Sequence, residues 1–184
     1  MADRCVALLR GINVGTAKRI AMADLRELVE GLGYSDVRTL LNSGNVVFSA
    51  GAGAGAGSAR DASARIEKAI ASELGVSTRV VVLKGKDLAA AVRDNPLADV
   101  ATDPSRLVLL AATDRKLLAR LKPLLEQTWA PEAIALGPHA AYLWCAKGIS
   151  DSRLGAAAGR LLGEDGTARN LATMTKLVAL LENG

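Results

Sequence analysis

Apolar residues along this chain come in two kinds of run, and the alternation between them predicts the elements. Cys5-Val6-Ala7-Leu8-Leu9 is continuous, which marks a buried strand. It ends in Arg10-Gly11-Ile12-Asn13-Val14-Gly15, a loop with two glycines. Leu25, Leu28, Val29 and Leu32 then fall on one face of a helix that Gly33 stops. Val37 to Leu41 and Val46-Val47-Phe48 flank the turn residues Asn42-Ser43-Gly44-Asn45 and predict a hairpin. Ala50 to Gly57 reads AGAGAGAG, with no side chain that packs, and predicts a flexible surface loop. Ser58-Ala59-Arg60-Asp61 is a capping box opening a helix with Ile66, Ile70 and Leu74 inside and Gly75 at its end. A β-branched strand over 78–83 and a short helix over 88–93 follow, the latter stopped at Asn95-Pro96.

The second half repeats this order. Leu107 to Ala111 predicts a strand. Asp114 is placed to cap a helix carrying Leu117, Leu118 and Leu121, with Pro123 ending or kinking it. Ala133–Leu136 and Ala140–Cys145 flank Gly137-Pro138-His139 as a second hairpin. A helix over 153–162 is closed by Gly163, Thr167–Asn170 is extended, and a last helix carries Met174, Leu177, Val178 and Leu181. Each half therefore reads β-α-β-β-α-β followed by a helix. The expected fold class is α+β: two tandem ferredoxin-like (βαββαβ) subdomains with short extra helices, 1–97 and 98–184, joined near 95–106. A single mixed sheet is the competing arrangement.

Composition narrows the function classes. Half of the 184 residues are hydrophobic and 23% are charged, which excludes a disordered chain. No apolar run approaches the roughly 20 residues of a membrane span. Residues 1–10 lack the pattern of a secretory signal, so a cytoplasmic location and no membrane partner are expected. Cys5 and Cys145 sit in apolar strands without metal-ligand spacing and are expected as buried free thiols. His139, the one histidine, is expected as an exposed turn residue, so neither a zinc site nor a Ser-His-Asp triad is expected. No metal and no cofactor are expected. The net charge of +4 permits nucleic acid without requiring it. Five aromatic residues are too few for an RNA-binding sheet built on stacked bases.

Apolar periodicity leaves a polar set unexplained. Arg10 follows a core strand, and Asn13 lies between two glycines. Ser43 and Asn45 bracket Gly44 at a hairpin tip. Arg169 and Asn170 end the last strand, with Thr173 and Lys176 on the next helix. Positive donors, neutral donors and close backbone together suit a carboxylate or phosphate. No carboxylate or second histidine accompanies them as a general base. Ordinary structural roles explain the same residues: Arg10 pairing with Asp24 or Asp36, Asn42 and Asn45 satisfying a turn, Thr173 capping a helix. Gly11–Lys18, GINVGTAK, misses the phosphate-binding GxxxxGK[ST] pattern in glycine spacing, lysine position and the missing hydroxyl. An ATPase is rejected; a backbone anion nest in this loop is compatible.

VALLRGINVG (6–15), MADLRELVEGLGYSDVRTLLNSGNVVF (22–48) and TARNLATMTKL (167–177) closely resemble the bacterial family called domain of unknown function 1697. The chain departs from that family's pattern at Leu171, where tryptophan is usual, at Arg153, where lysine is usual, and at Leu97, where phenylalanine is common. The resemblance implies a soluble bacterial α+β protein and supplies no activity. It also implies that the eight polar positions are family features. The expected function is binding of a small anionic ligand, phosphate- or carboxylate-bearing, in a polar cleft between the subdomains. The alternatives are a nucleic-acid backbone-binding module, permitted but not favoured, and a transferase or hydrolase acting on a phosphorylated substrate. Whether the protein is an enzyme, and its oligomeric state, are left open by the sequence.

Overall fold

The computed structural model describes residues 3–51 and 57–184. Residues 52–56 of the alanine/glycine run, expected as a flexible loop, lie outside the described residues. The chain is mixed helix and sheet, with two four-stranded antiparallel sheets. It divides into two units, Met1–Lys86 with Leu177–Gly184, and Asp87–Lys176. The sequence pattern places the division at 97/98. The units instead divide after Lys86, and the last eight residues return to the first unit.

In the first unit the order is β1 (Asp3–Leu9), α1 (Met22–Gly31), β2 (Ser35–Leu40), β3 (Asn45–Ala50), α2 (Ala59–Leu74) and β4 (Val80–Lys84). The strands lie β2-β3-β1-β4, each neighbour antiparallel. Strand β1 is central, and Cys5 to Leu9 are all buried, as the unbroken apolar run requires. Alternate residues Cys5, Ala7 and Leu9 pack with Leu25 and Val29 of α1 and Ile66 and Ile70 of α2. The helical face and the strand period thus meet in one core. Helix α2 opens with the expected capping box: the Ser58 hydroxyl accepts from Asp61 N, and Asp61 Oδ2 accepts from Ser58 N at 2.7 Å. It closes on Gly75 in the left-handed conformation.

Helix α3 (Gly85–Arg93) follows. The second unit then continues as β5 (Leu107–Ala112), a helical stretch, β6 (Ala133–Leu136), β7 (Ala141–Trp144), α5 (Arg153–Leu162), β8 (Gly166–Asn170) and α6 (Leu171–Glu182), which ends in the first unit. Its strand order is β6-β7-β5-β8. Val108, Leu110 and Ala112 pack with Leu118, Leu121 and Leu124 and with Leu154, Ala158 and Leu162.

The helical stretch differs from expectation. Arg115–Leu121 is a 3-10 helix, and only Lys122–Leu125 (α4) is α-helical. Leu118 and Leu121, the buried pair, are three apart, the period of a 3-10 turn. Asp114 caps it, accepting from Lys116 N at 2.9 Å. Pro123 does not end the helix; it lies in the first turn of α4, where a missing N–H costs nothing. His139 also differs from expectation. Its side chain is largely buried, and Nδ1 lies 3.8 Å from Asp87 Oδ1, so the turn residue faces a carboxylate rather than solvent alone. Cys5 and Cys145 are both buried, and burial pushes the Cys145 thiol pKa up. No helix among the described residues is long and apolar enough to cross a membrane. Among them, no group of three or more His, Cys, Asp or Glu could hold a metal ion.

Candidate functional site

Four of the eight polar candidates lie in the first unit, where two loops join. The loop from Arg10 to Ile20 is forced into a tight path by left-handed backbone at Gly11, Asn13, Gly15 and Lys18. Ile12 and Ile20 are its buried anchors, and Val14 to Arg19 between them are exposed. Asn13 holds the loop shut. Its Nδ2 donates to Ile20 O at 2.9 Å and to Asn42 O at 2.7 Å, while its Oδ1 accepts from Ile20 N at 2.9 Å. Asparagine fits because it tolerates positive φ and offers both donors and an acceptor.

The hairpin tip is built to receive that loop. Asn45 is fully buried, and its Nδ2 donates to Leu40 O at 2.7 Å and to Ser43 Oγ at 3.0 Å. Gly44 has φ of +83°, and a Cβ there would lie 2.7 Å from Ile12 Cδ1 and 2.8 Å from Leu9 Cβ. Its carbonyl accepts from Leu9 N at 2.8 Å. Both amides are therefore framework. They shape the loop and turn, and leave little hydrogen-bonding capacity for a ligand.

Charge at this place comes from the loop itself. Arg10 has its backbone fixed on both sides: its N–H donates to Arg79 O, and its carbonyl accepts from Thr78 Oγ1 at 2.7 Å. Lys18 and Arg19 are exposed on the same loop. Residues 10–23 contain these three cations and no carboxylate. Lys18 and Arg19 are the residues the candidate set omits. The signal that finds them is this uninterrupted positive run.

The other four candidates lie in the second unit. Arg169 Nη1 donates to Thr167 Oγ1 at 3.1 Å and to Ala168 O at 2.8 Å. Burial pushes its pKa down to about 10, because desolvation disfavours the charged guanidinium. Asn170 caps α6 by accepting from Thr173 N at 2.9 Å, so the cap is Asn170 and not Thr173. Thr173 is buried and Lys176 exposed, although three-residue spacing puts them on neighbouring faces of α6. The structure brings Arg10, Asn13, Ser43 and Asn45 together in one unit, and Arg169, Asn170, Thr173 and Lys176 together along one strand and helix start in the other. None of the eight is a carboxylate, so the set supplies charge and donors.

A fold of two antiparallel four-stranded sheets, with a basic glycine loop stapled to a hairpin tip, defines a class of α+β protein. The chain belongs to the family described as Protein of unknown function (DUF1697), which matches residues 2–142. The matched stretch includes the loop and the hairpin and ends before the 167–177 segment. The fold is similar to that of the conserved bacterial protein SP0830 from Streptococcus pneumoniae. The TM-score is 0.75 at 22% identity, over 98% of this chain and 99% of that one. No curated protein matches the sequence.

Proposed function

We propose that each unit is a ferredoxin-like domain and that the protein recognises a small phosphate- or carboxylate-bearing ligand through the Arg10–Ile20 loop. The strand orders β2-β3-β1-β4 and β6-β7-β5-β8, on a β-α-β-β-α-β chain order, support the ferredoxin-like assignment. One observation carries the ligand reading. A loop held rigid by Asn13 carries Arg10, Lys18 and Arg19 with no carboxylate in residues 10–23. Left-handed backbone fixed by Asn13, with three cations on the same loop, suits an anion. The desolvated Arg169 guanidinium, in the other unit, is a further cation suited to an anion.

A thermal-shift panel tests this. It contains phosphate, sulfate, nucleotides, sugar phosphates, carboxylates and a short RNA, each at low and high salt. A ligand that binds only the folded state raises the midpoint by mass action. The expected result is a small-anion shift that is lost in Arg10→Ala. A shift from RNA alone, vanishing at high salt, replaces this reading with backbone recognition of nucleic acid. No shift from any anion overturns it.

A further inference from the structure

The second unit holds a pocket of about 180 Å³ remote in sequence from every candidate above. Its apolar wall is Trp129 with Pro131, and its charged rim is Glu132, Lys147, Asp151 and Arg153. Two of these side chains are held in place. The Trp129 indole Nε1–H donates to Leu124 O at 2.8 Å. Glu132 Oε2 accepts from Ser152 Oγ and from Leu154 N, both at 3.0 Å, at the start of α5. Its other oxygen, Oε1, has no hydrogen bond among the described residues. Lys147, Asp151 and Arg153 are exposed, and none forms an ion pair with another described residue. Two cations and two carboxylates thus ring one small cavity, with no ion pair among them in the described residues.

We propose that this pocket binds a small zwitterion of the α-amino-acid class. Lys147 and Arg153 match a carboxylate, which a guanidinium can engage through two parallel hydrogen bonds. Glu132 Oε1 and Asp151 match an ammonium group. A molecule of one charge would leave the opposite pair of rim groups facing it without a partner, so the site discriminates against it. The volume is below the roughly 300 Å³ at which drug-sized ligands fit, which limits the ligand to a few heavy atoms beyond the two charged groups. Trp129 and Glu132 are preorganised, so ordering on binding is confined to the exposed rim.

The test follows the two indole N–H signals of the intact protein by NMR while each of the twenty free α-amino acids is added to about 10 mM, well into the weak range of specific binding. Each amino acid that acts is compared with its amine lacking the carboxylate and its acid lacking the amine. The expected result is a saturable shift of the Trp129 signal by one or a few amino acids, with both single-charge analogues about tenfold weaker or worse. Arg153→Gln and Glu132→Gln should each weaken the effect by a similar factor. If a variant fails to fold, the analogue comparison on the unchanged protein still decides. Equal shifts from the single-charge acid overturn the zwitterion assignment, and so does the absence of any saturable shift.

Discussion

The side-chain amide of Asn13 donates to the carbonyl oxygen of Asn42, 29 positions along the chain, at 2.7 Å. This bond ties the glycine loop after the first strand to the tip of the hairpin. The same side chain closes its own loop through Ile20 on both its donor and its acceptor. The expected cost of Asn13→Ala is about 2–4 kcal/mol, from three lost hydrogen bonds and the strain of alanine at positive φ. Asn13→Gly loses the bonds but relieves the backbone, and should be about 1 kcal/mol milder. Urea unfolding of both variants checks the difference; equal costs would mean that the backbone contributes nothing.

Gly44 is fixed by two independent demands. Its backbone is left-handed, and the space for a Cβ is filled by Ile12 and Leu9. Gly44→Ala should cost about 2–4 kcal/mol, combining overpacking with left-handed strain. Ile12→Val removes the nearest atom, Cδ1, but leaves Leu9 Cβ in place. The double variant should therefore recover only part of the loss, about 0.5–1 kcal/mol of coupling. Chemical denaturation of the full cycle measures it, and strict additivity would show that the Ile12 contact does not resist the substitution.

Local rules carried the sequence reading wherever one residue type answers one geometric need. The capping box at Ser58 and Asp61, Gly75 after α2, the 153–162 helix and both hairpins are of this kind. The stretch after Asp114 was not legible in the same way. A 3-10 and an α-helix bury leucines at nearly the same spacing, and the difference lies in tertiary packing of Leu118 and Leu121. The roles of Asn13 and Asn45 were hidden for a related reason. Asparagine near glycine reads equally as ligand donor or as turn staple, and the deciding partners, Asn42 O and Leu40 O, are set by the fold. The Glu132 contacts to Ser152 and Leu154 span 20 and 22 positions and left no local signal, so the pocket they build was invisible in the sequence.

Asp61 gives a stability contribution with a defined pH sign. Hydrogen bonds from the Ser58 hydroxyl and backbone hold its carboxyl below its ordinary value of 3.8. A carboxylate with a lowered folded pKa contributes above the unfolded value, and the contribution is lost as pH falls through the folded one. Asp61→Asn should therefore narrow its stability gap from the unchanged protein as pH falls below about 4. Thermal midpoints between pH 7 and 3 test this; a gap independent of pH would remove the charge from the cap.

Tyr142 should give the opposite pH sign at the alkaline end. Its hydroxyl, in β7, donates to Ala91 O at 2.7 Å, and the side chain is buried. Tyr142→Phe leaves that carbonyl without its partner, at an expected cost of about 1–2 kcal/mol near pH 7. Burial, helped by the charge of Asp94, raises the phenol pKa above 10.0. The folded state then keeps a proton that the unfolded chain releases, so the unfolded state binds fewer protons and stability falls as pH rises past about 10. Phenylalanine has no such proton. The cost of Tyr142→Phe should therefore shrink as pH climbs from 9 to 11, in a window set by the raised folded value. Denaturant unfolding of both proteins at matched pH measures this, and parallel stability profiles would mean that Tyr142 ionises equally well in the folded and unfolded chains.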